Sequence, residues 1–122
     1  ALAAEGIGAV AIMSNDTDAY PEDRFDNMKL FAARHELPFP YLIDETQAVA
    51  RAYGAVCTPD FFGFNRAREL QYRGRLDASR KEAEPGARRE LLEAMRLVAA
   101  TGRGPAEQIA SIGCSIKWRA AA

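Results

Sequence analysis

Cys57-Thr58-Pro59-Asp60-Phe61-Phe62-Gly63-Phe64 is the stretch on which the reading of this chain turns. A proline stands immediately before an aromatic run that has the composition of a buried strand. Proline cannot donate to a ladder, so it belongs at the first position of a strand or at an edge. Upstream, a helical pattern stops at Gly54, and Ala55-Val56 lead into the stretch. A cysteine lies two residues before the proline, so thiol chemistry is the first function to test against the remainder of the chain.

Outward from this centre, the pattern is layered. Ala1 to Glu5 read as the last turn of a helix closed by Gly6. Ile7 to Met13 are almost continuously apolar, which predicts a strand covered on both faces as in a parallel sheet. Ser14 to Asp18 form a polar turn, and a helix follows Pro21 with Phe25, Met28, Phe31 and Ala32 on one face, ending near His35. Phe39 to Ile43 predict a short strand. Asp44-Glu45-Thr46-Gln47 resemble a capping box that starts a helix with Ala48, Val49, Ala52 and Tyr53 inward and Gly54 as its stop.

Beyond the proline, Phe61 to Asn65 and Glu69 to Gly74 read as a β-hairpin turning at Asn65-Arg66-Ala67-Arg68. Ala87 to Ala100 carry the strongest helical period, with Leu91, Leu92, Met95 and Val98 on one side and Gly102 past the end. The segment 105–122 is expected to pack back as a tail, because Ile112 to Trp118 are too apolar to remain in water. Helices alternating with buried strands, finished by an antiparallel hairpin, define an α/β layered architecture. At 122 residues the chain is read as one domain.

Charge and composition narrow the function. Sixteen Lys and Arg against seventeen Asp and Glu leave a net charge of −1, so neither nucleic acid nor an anionic membrane is an expected partner. The arginines at 66, 68, 73, 75, 80, 88 and 89 are interrupted by acids and apolar residues and read as a solvated surface. No apolar run approaches the ~20 residues of a membrane span. Ala1-Leu2-Ala3-Ala4 lack the charged leader of a signal peptide, which makes the cytoplasm the expected compartment. Two cysteines and one histidine are too few for a zinc site or a disulfide scaffold.

Four blocks carry a family resemblance: Ala11 to Asp16, Phe39 to Gln47, Ala52 to Phe62, and Ser111 to Trp118. In that order and spacing the chain resembles the C-terminal two-thirds of a thioredoxin-like protein of the peroxiredoxin-related (AhpC/TSA, redoxin) group. The resemblance implies a three-layer α/β sandwich around a mixed sheet, with a cis Thr58-Pro59 bond beside the redox site. It also implies a thiol–disulfide oxidoreductase or thiol peroxidase-like enzyme. Its partners would be a dithiol reductant protein and a disulfide or peroxide substrate, with no metal or organic cofactor.

The pattern departs from the family in one respect. Such proteins carry a Cys-x-x-Cys at a helix N-terminus, where the helix favours the thiolate, and no such motif occurs here. The strand and helix start that bear it would precede Ala1. That strand is central, so its absence would leave the strands at Ile7 and Phe61 each without a neighbour. Buried unpaired groups cost roughly 1–3 kcal/mol apiece. The expectation is therefore that these residues are the larger part of a longer protein, redox-incompetent as given.

Within the chain, Thr58 and Pro59 are the candidate substrate groove. Cys57 has two readings: a further thiol that accepts or resolves a disulfide, or a small buried hydrophobe. Cys114 could resolve a sulfenic acid or pair with Cys57, but reducing conditions disfavour a permanent bridge and a packing role is preferred. His35 is placed at a helix C-terminus without a catalytic role. Asp16, Asp18, Glu22, Asp23 and Asp26 are read as turn and helix-start residues rather than a calcium loop. The alternative to an enzyme is a non-catalytic thioredoxin-fold module that binds extended peptides in the same groove.

Overall fold

The computed structural model describes residues 2–79 and 84–120. Arg80 and Ala1, both named above, lie outside the described residues. The chain divides into two compact units, one comprising residues 1–7 and 57–114 and the other residues 8–56 and 115–122.

The first unit is built on the hairpin. Strand β4 (Phe61–Phe64) runs antiparallel to β5 (Leu70–Gly74), with Phe61 opposite Gly74, Gly63 opposite Tyr72 and an irregularity between Gly63 and Phe64. The turn between them is tied by Asn65, whose Oδ1 accepts from Glu69 N at 2.9 Å, while Arg68 adopts the left-handed φ of 65°. Helix α3 (Glu90–Thr101) lies on this hairpin and ends at Gly102, whose φ of 79° lets its N–H reach Val98 O at 2.7 Å.

Tyr72, Ala94, Met95 and Val98 form the core, with Leu2, Ile7, Phe61 and Leu91 packed against it. The helical period read from the sequence therefore faces the hairpin as expected. Gly63 lies against Met95, whose sulfur a Cβ at that position would displace. The N-terminal helix tail is a single 3-10 turn, Ala3–Glu5, closed by Gly6 at φ 78°. Arg75 and Glu90 form a partly buried ion pair, with the Arg75 Nε donating to Glu90 at 3.0 Å. Arg75 is thus not one of a row of solvated arginines.

In the second unit, β1 (Ala11–Met13) pairs in parallel with β2 (Tyr41–Ile43), with Ile12 opposite Leu42. A parallel pair needs a crossover, and α1 (Phe25–Arg34) supplies it after a 3-10 turn at Pro21–Asp23. Helix α2 (Ala48–Tyr53) follows and stops at Gly54 with φ 68°. Its start corrects the capping-box reading. Asp44 does cap, accepting from Ala50 N at 2.9 Å, but Gln47 does not reach back to it. Instead, Gln47 is 1% exposed, and its Nε2 donates to Ser14 O at 2.7 Å and Lys117 O at 2.9 Å.

Three further expectations are corrected in this unit. The strand expected from Ile7 is three residues long and is not covered on both faces: Ile12 and its partner Leu42 are both exposed. On α1 only Met28 of the expected face is buried, whereas Phe25 and Phe31 are exposed. On α2 the buried residue is Ala50, and Val49 and Tyr53 are exposed. The apolar periods are present, but among the described residues no layer covers them.

The tail expectation divides in the same way. Ile116 is buried and Trp118 lies under the Arg51 guanidinium at 4.4 Å, whereas Ile112 is 92% exposed. The remaining strands are β3 (Cys57–Thr58) and β6 (Cys114–Ser115), which pair with each other. With parallel, antiparallel and short pairs joined by helices, the fold is mixed α/β of the thioredoxin-like class. Its six strands form three two-stranded sheets rather than one continuous mixed sheet among the described residues.

Candidate thiol site

Short β3 leads straight into the Thr58-Pro59 peptide, which is cis. Cys57 is 9% exposed, and its sulfur lies 3.7 Å from both Pro59 O and Ser111 O. Both partners are carbonyl oxygens, so the sulfur must donate its hydrogen to them. Burial pushes the Cys57 thiol above its ordinary pKa, and the Asp60 carboxylate adds to this, while Arg73 opposes it. Burial and Asp60 outweigh Arg73, so the site favours Cys57 as a thiol. The thiolate is the nucleophile, so Cys57 alone is not an activated attacking group.

Asp60 and Arg73 form the electrostatic frame of this thiol. The Asp60 side chain is only 5% exposed, and Arg73 Nη2 meets its Oδ2 at 3.4 Å. The Arg73 guanidinium also lies over the Phe62 ring, 5.1 Å from its centroid. The sequence reading placed Arg73 on a solvated face and gave Asp60 no role. The available signal was the alternation of the hairpin, which puts Arg73 directly opposite Phe62.

Cys114 is exposed and Cys57 buried, and both are free thiols. The β3–β6 pairing brings the segment carrying Cys114 alongside Thr58, whose Oγ1 donates to Cys114 O at 3.3 Å. Gly113 is the residue sequence reasoning missed most completely. A Cβ there would strike the Thr58 carbonyl oxygen and sit 3.4 Å from Pro59 N, so the Gly113 backbone rests directly on the Thr58-Pro59 peptide.

Other candidates lie elsewhere. His35 caps the end of α1 and stacks on Phe31 with ring centroids 4.3 Å apart. Asp16 closes an Asx turn on Asp18 N at 3.0 Å, and both Asp16 and Asp18 hold Arg119 Nη1 at 2.8 Å. Asp23 accepts from Asn15 at 3.1 Å, and Asp26 lies in the first turn of α1. Among the described residues no cluster of three or more His, Cys, Asp or Glu is arranged to hold a metal. None of the described helices is long and apolar enough to cross a membrane.

The fold, with its cis Thr58-Pro59 peptide, is of the thioredoxin-like class. The chain belongs to the redoxin family, whose model matches residues 1–91. That span contains Cys57, Thr58 and Pro59 and stops short of Cys114. Among solved structures, the chain is similar to an uncharacterized conserved protein from Geobacillus kaustophilus, with 48% identity and a TM-score of 0.87 over 98% of this chain. It is also similar to a hypothetical protein from Sinorhizobium meliloti, with 40% identity and a TM-score of 0.87 over 98% of this chain. The chain spans 64% and 66% of the lengths of those two, just under two thirds. No curated protein matches it.

Proposed function

We propose that this chain belongs to a thiol–disulfide oxidoreductase or thiol peroxidase-like protein, in which Thr58-Pro59 form the substrate loop and Cys57 serves as a second thiol. The observation that carries this reading is the position of the Cys57 sulfur, next to the Thr58-Pro59 peptide and framed by Asp60 and Arg73. In the reaction, an attacking thiolate cleaves the O–O bond of a hydroperoxide. It becomes a sulfenic acid and releases an alcohol or water. Cys57 then displaces the sulfenic oxygen as water, forming a disulfide, and a dithiol protein donates two electrons to restore both thiols. With a disulfide substrate the first step is instead exchange, and the leaving group is a thiolate. The Thr58-Pro59 edge would hold the extended substrate.

A second reading is favoured by one feature: Cys57 is buried, its thiol is pushed above its ordinary pKa by burial, and its sulfur faces two carbonyl oxygens. On that reading the chain is a binding module for extended peptides and Cys57 only fills space. Peroxide consumption and insulin reduction by the full-length protein, wild type and Cys57→Ser, separate the two. Loss of thiol-dependent turnover in the variant supports the redox role. Unchanged turnover makes Cys57 a packing residue, and no turnover in either protein favours the binding module.

A further inference from the structure

The backbone edge assigned above to the substrate is already occupied by the chain itself. Thr58 and Cys57 pair with the strand that starts at Cys114. Gly113 lies flat on the Thr58 carbonyl. Thr58 Oγ1 holds Cys114 O at 3.3 Å, and Cys57 Sγ is 3.7 Å from Ser111 O. These contacts reproduce what an added extended peptide makes at a strand edge: main-chain pairing first, side chains second.

The same segment is held by little else. Ile112 is 92% exposed, and Gly113 and Cys114 are also exposed, so these three residues contribute almost no apolar burial to its retention. Its firm anchors flank it: beyond it Ile116 is buried and Lys117 O accepts from Asp16 N at 2.7 Å, and anchors also precede it. Ser111 Oγ donates to Gly74 O at 2.6 Å, and Ile109 O accepts from Arg75 N at 2.9 Å. Segments with few buried apolar contacts open at low free energy. Residues 112–114 therefore bridge firm anchors on either side and are themselves only lightly pinned over the thiol loop.

We infer that Ser111 to Cys114 form an autoinhibitory strap, which takes the place of an extended peptide disulfide along Thr58-Pro59 and must be displaced before such a substrate can reach Cys57. This rests on the assignment of Thr58-Pro59 as the substrate edge. Gly113 is what allows the strap to close, because any side chain there collides with rigid backbone at Thr58. Substituting it opens the edge without touching the thiol.

The test uses the full chain carrying Cys114→Ser, so that Cys57 is the single reporting thiol. Two reagents are compared, glutathione disulfide as an extended peptide disulfide and iodoacetamide as a small alkylating agent. With the first, the Cys57 thiolate forms a bond to one glutathione sulfur, the glutathione S–S bond breaks, and one glutathione thiolate leaves. With the second, a C–S bond forms and iodide leaves.

Gly113→Ala is expected to speed mixed-disulfide formation by about tenfold or more, and Thr58→Val by about threefold, as one lost hydrogen bond implies. The gain with iodoacetamide should be smaller in both. Unchanged rates with glutathione disulfide, or equal gains with both reagents, would overturn the strap. Thr58→Val introduces no steric clash and keeps the test decisive if Gly113→Ala unfolds the protein. The redox assignment is judged separately, by turnover of the Cys57→Ser protein.

Discussion

Gln47 and Lys117 are joined by a hydrogen bond of 2.9 Å from the Gln47 Nε2 to the Lys117 carbonyl, across a sequence separation of 70 residues. The same amide donates to Ser14 O at 2.7 Å and accepts from Arg119 N at 2.9 Å. One buried side chain therefore satisfies three main-chain groups of its own unit, which explains why a polar residue is 1% exposed there. Its left-handed φ of 65° aims the side chain at this task.

Replacing Gln47 by Leu keeps the bulk and removes all three bonds, taking this partner from Ser14 O and Arg119 N, while Lys117 O keeps its bond from Asp16 N at 2.7 Å. Denaturant unfolding should show a loss of about 2–4 kcal/mol. A loss under about 0.5 kcal/mol would mean that water replaces the amide without penalty.

Glu90 predicts an acid limb of stability. Burial alone would raise its pKa, but the hydrogen bond from Arg75, its own backbone N–H and the charges of Arg75 and Arg88 outweigh this and hold the carboxyl below the ordinary range. A folded pKa below the unfolded value of about 4.3 gives stability that is complete above that pH and lost as pH falls through the folded pKa. Melting temperatures measured from pH 6 downward should drop over this window in the wild type and change less in Glu90→Gln. Arg75→Met, which leaves the buried carboxylate unpaired, should cost about 3–5 kcal/mol near neutral pH.

The reactivity of Cys57 should be shifted to alkaline pH. Because burial, then Asp60, raise its pKa, alkylation in a Cys114→Ser background should rise through a midpoint above the ordinary thiol value of about 8.5. Asp60→Asn should move the midpoint down and Arg73→Ala should move it up. A wild-type midpoint at or below that of a free thiol contradicts the burial argument.

Two glycines should respond differently to alanine. At Gly63 the new methyl meets the Met95 sulfur, the movable end of a flexible side chain, so repacking should limit the loss to about 1 kcal/mol. At Gly104 it meets the Gln71 carbonyl, which is backbone and cannot move aside, so the loss should reach about 2–3 kcal/mol. Equilibrium unfolding of the two variants checks the order, and a reversal would show that the Gln71 backbone yields more easily than the Met95 side chain.

What residue order alone makes legible is local. Gly54 and Gly102 end their helices, Asn65 turns the hairpin, Asp16 starts an Asx turn, and Met95 and Val98 face the core. Each follows from residues a few positions apart, because caps, turns and side-chain periods are satisfied within one turn of backbone. The tertiary structure alone decided which apolar faces are covered, since Phe25, Phe31 and Ile12 have the right spacing yet remain exposed. It alone assigned Gln47 and Gly113 their partners. A hydrogen bond or close backbone approach spanning 50 to 70 residues leaves no period in the chain, and only folding brings its two ends to one place.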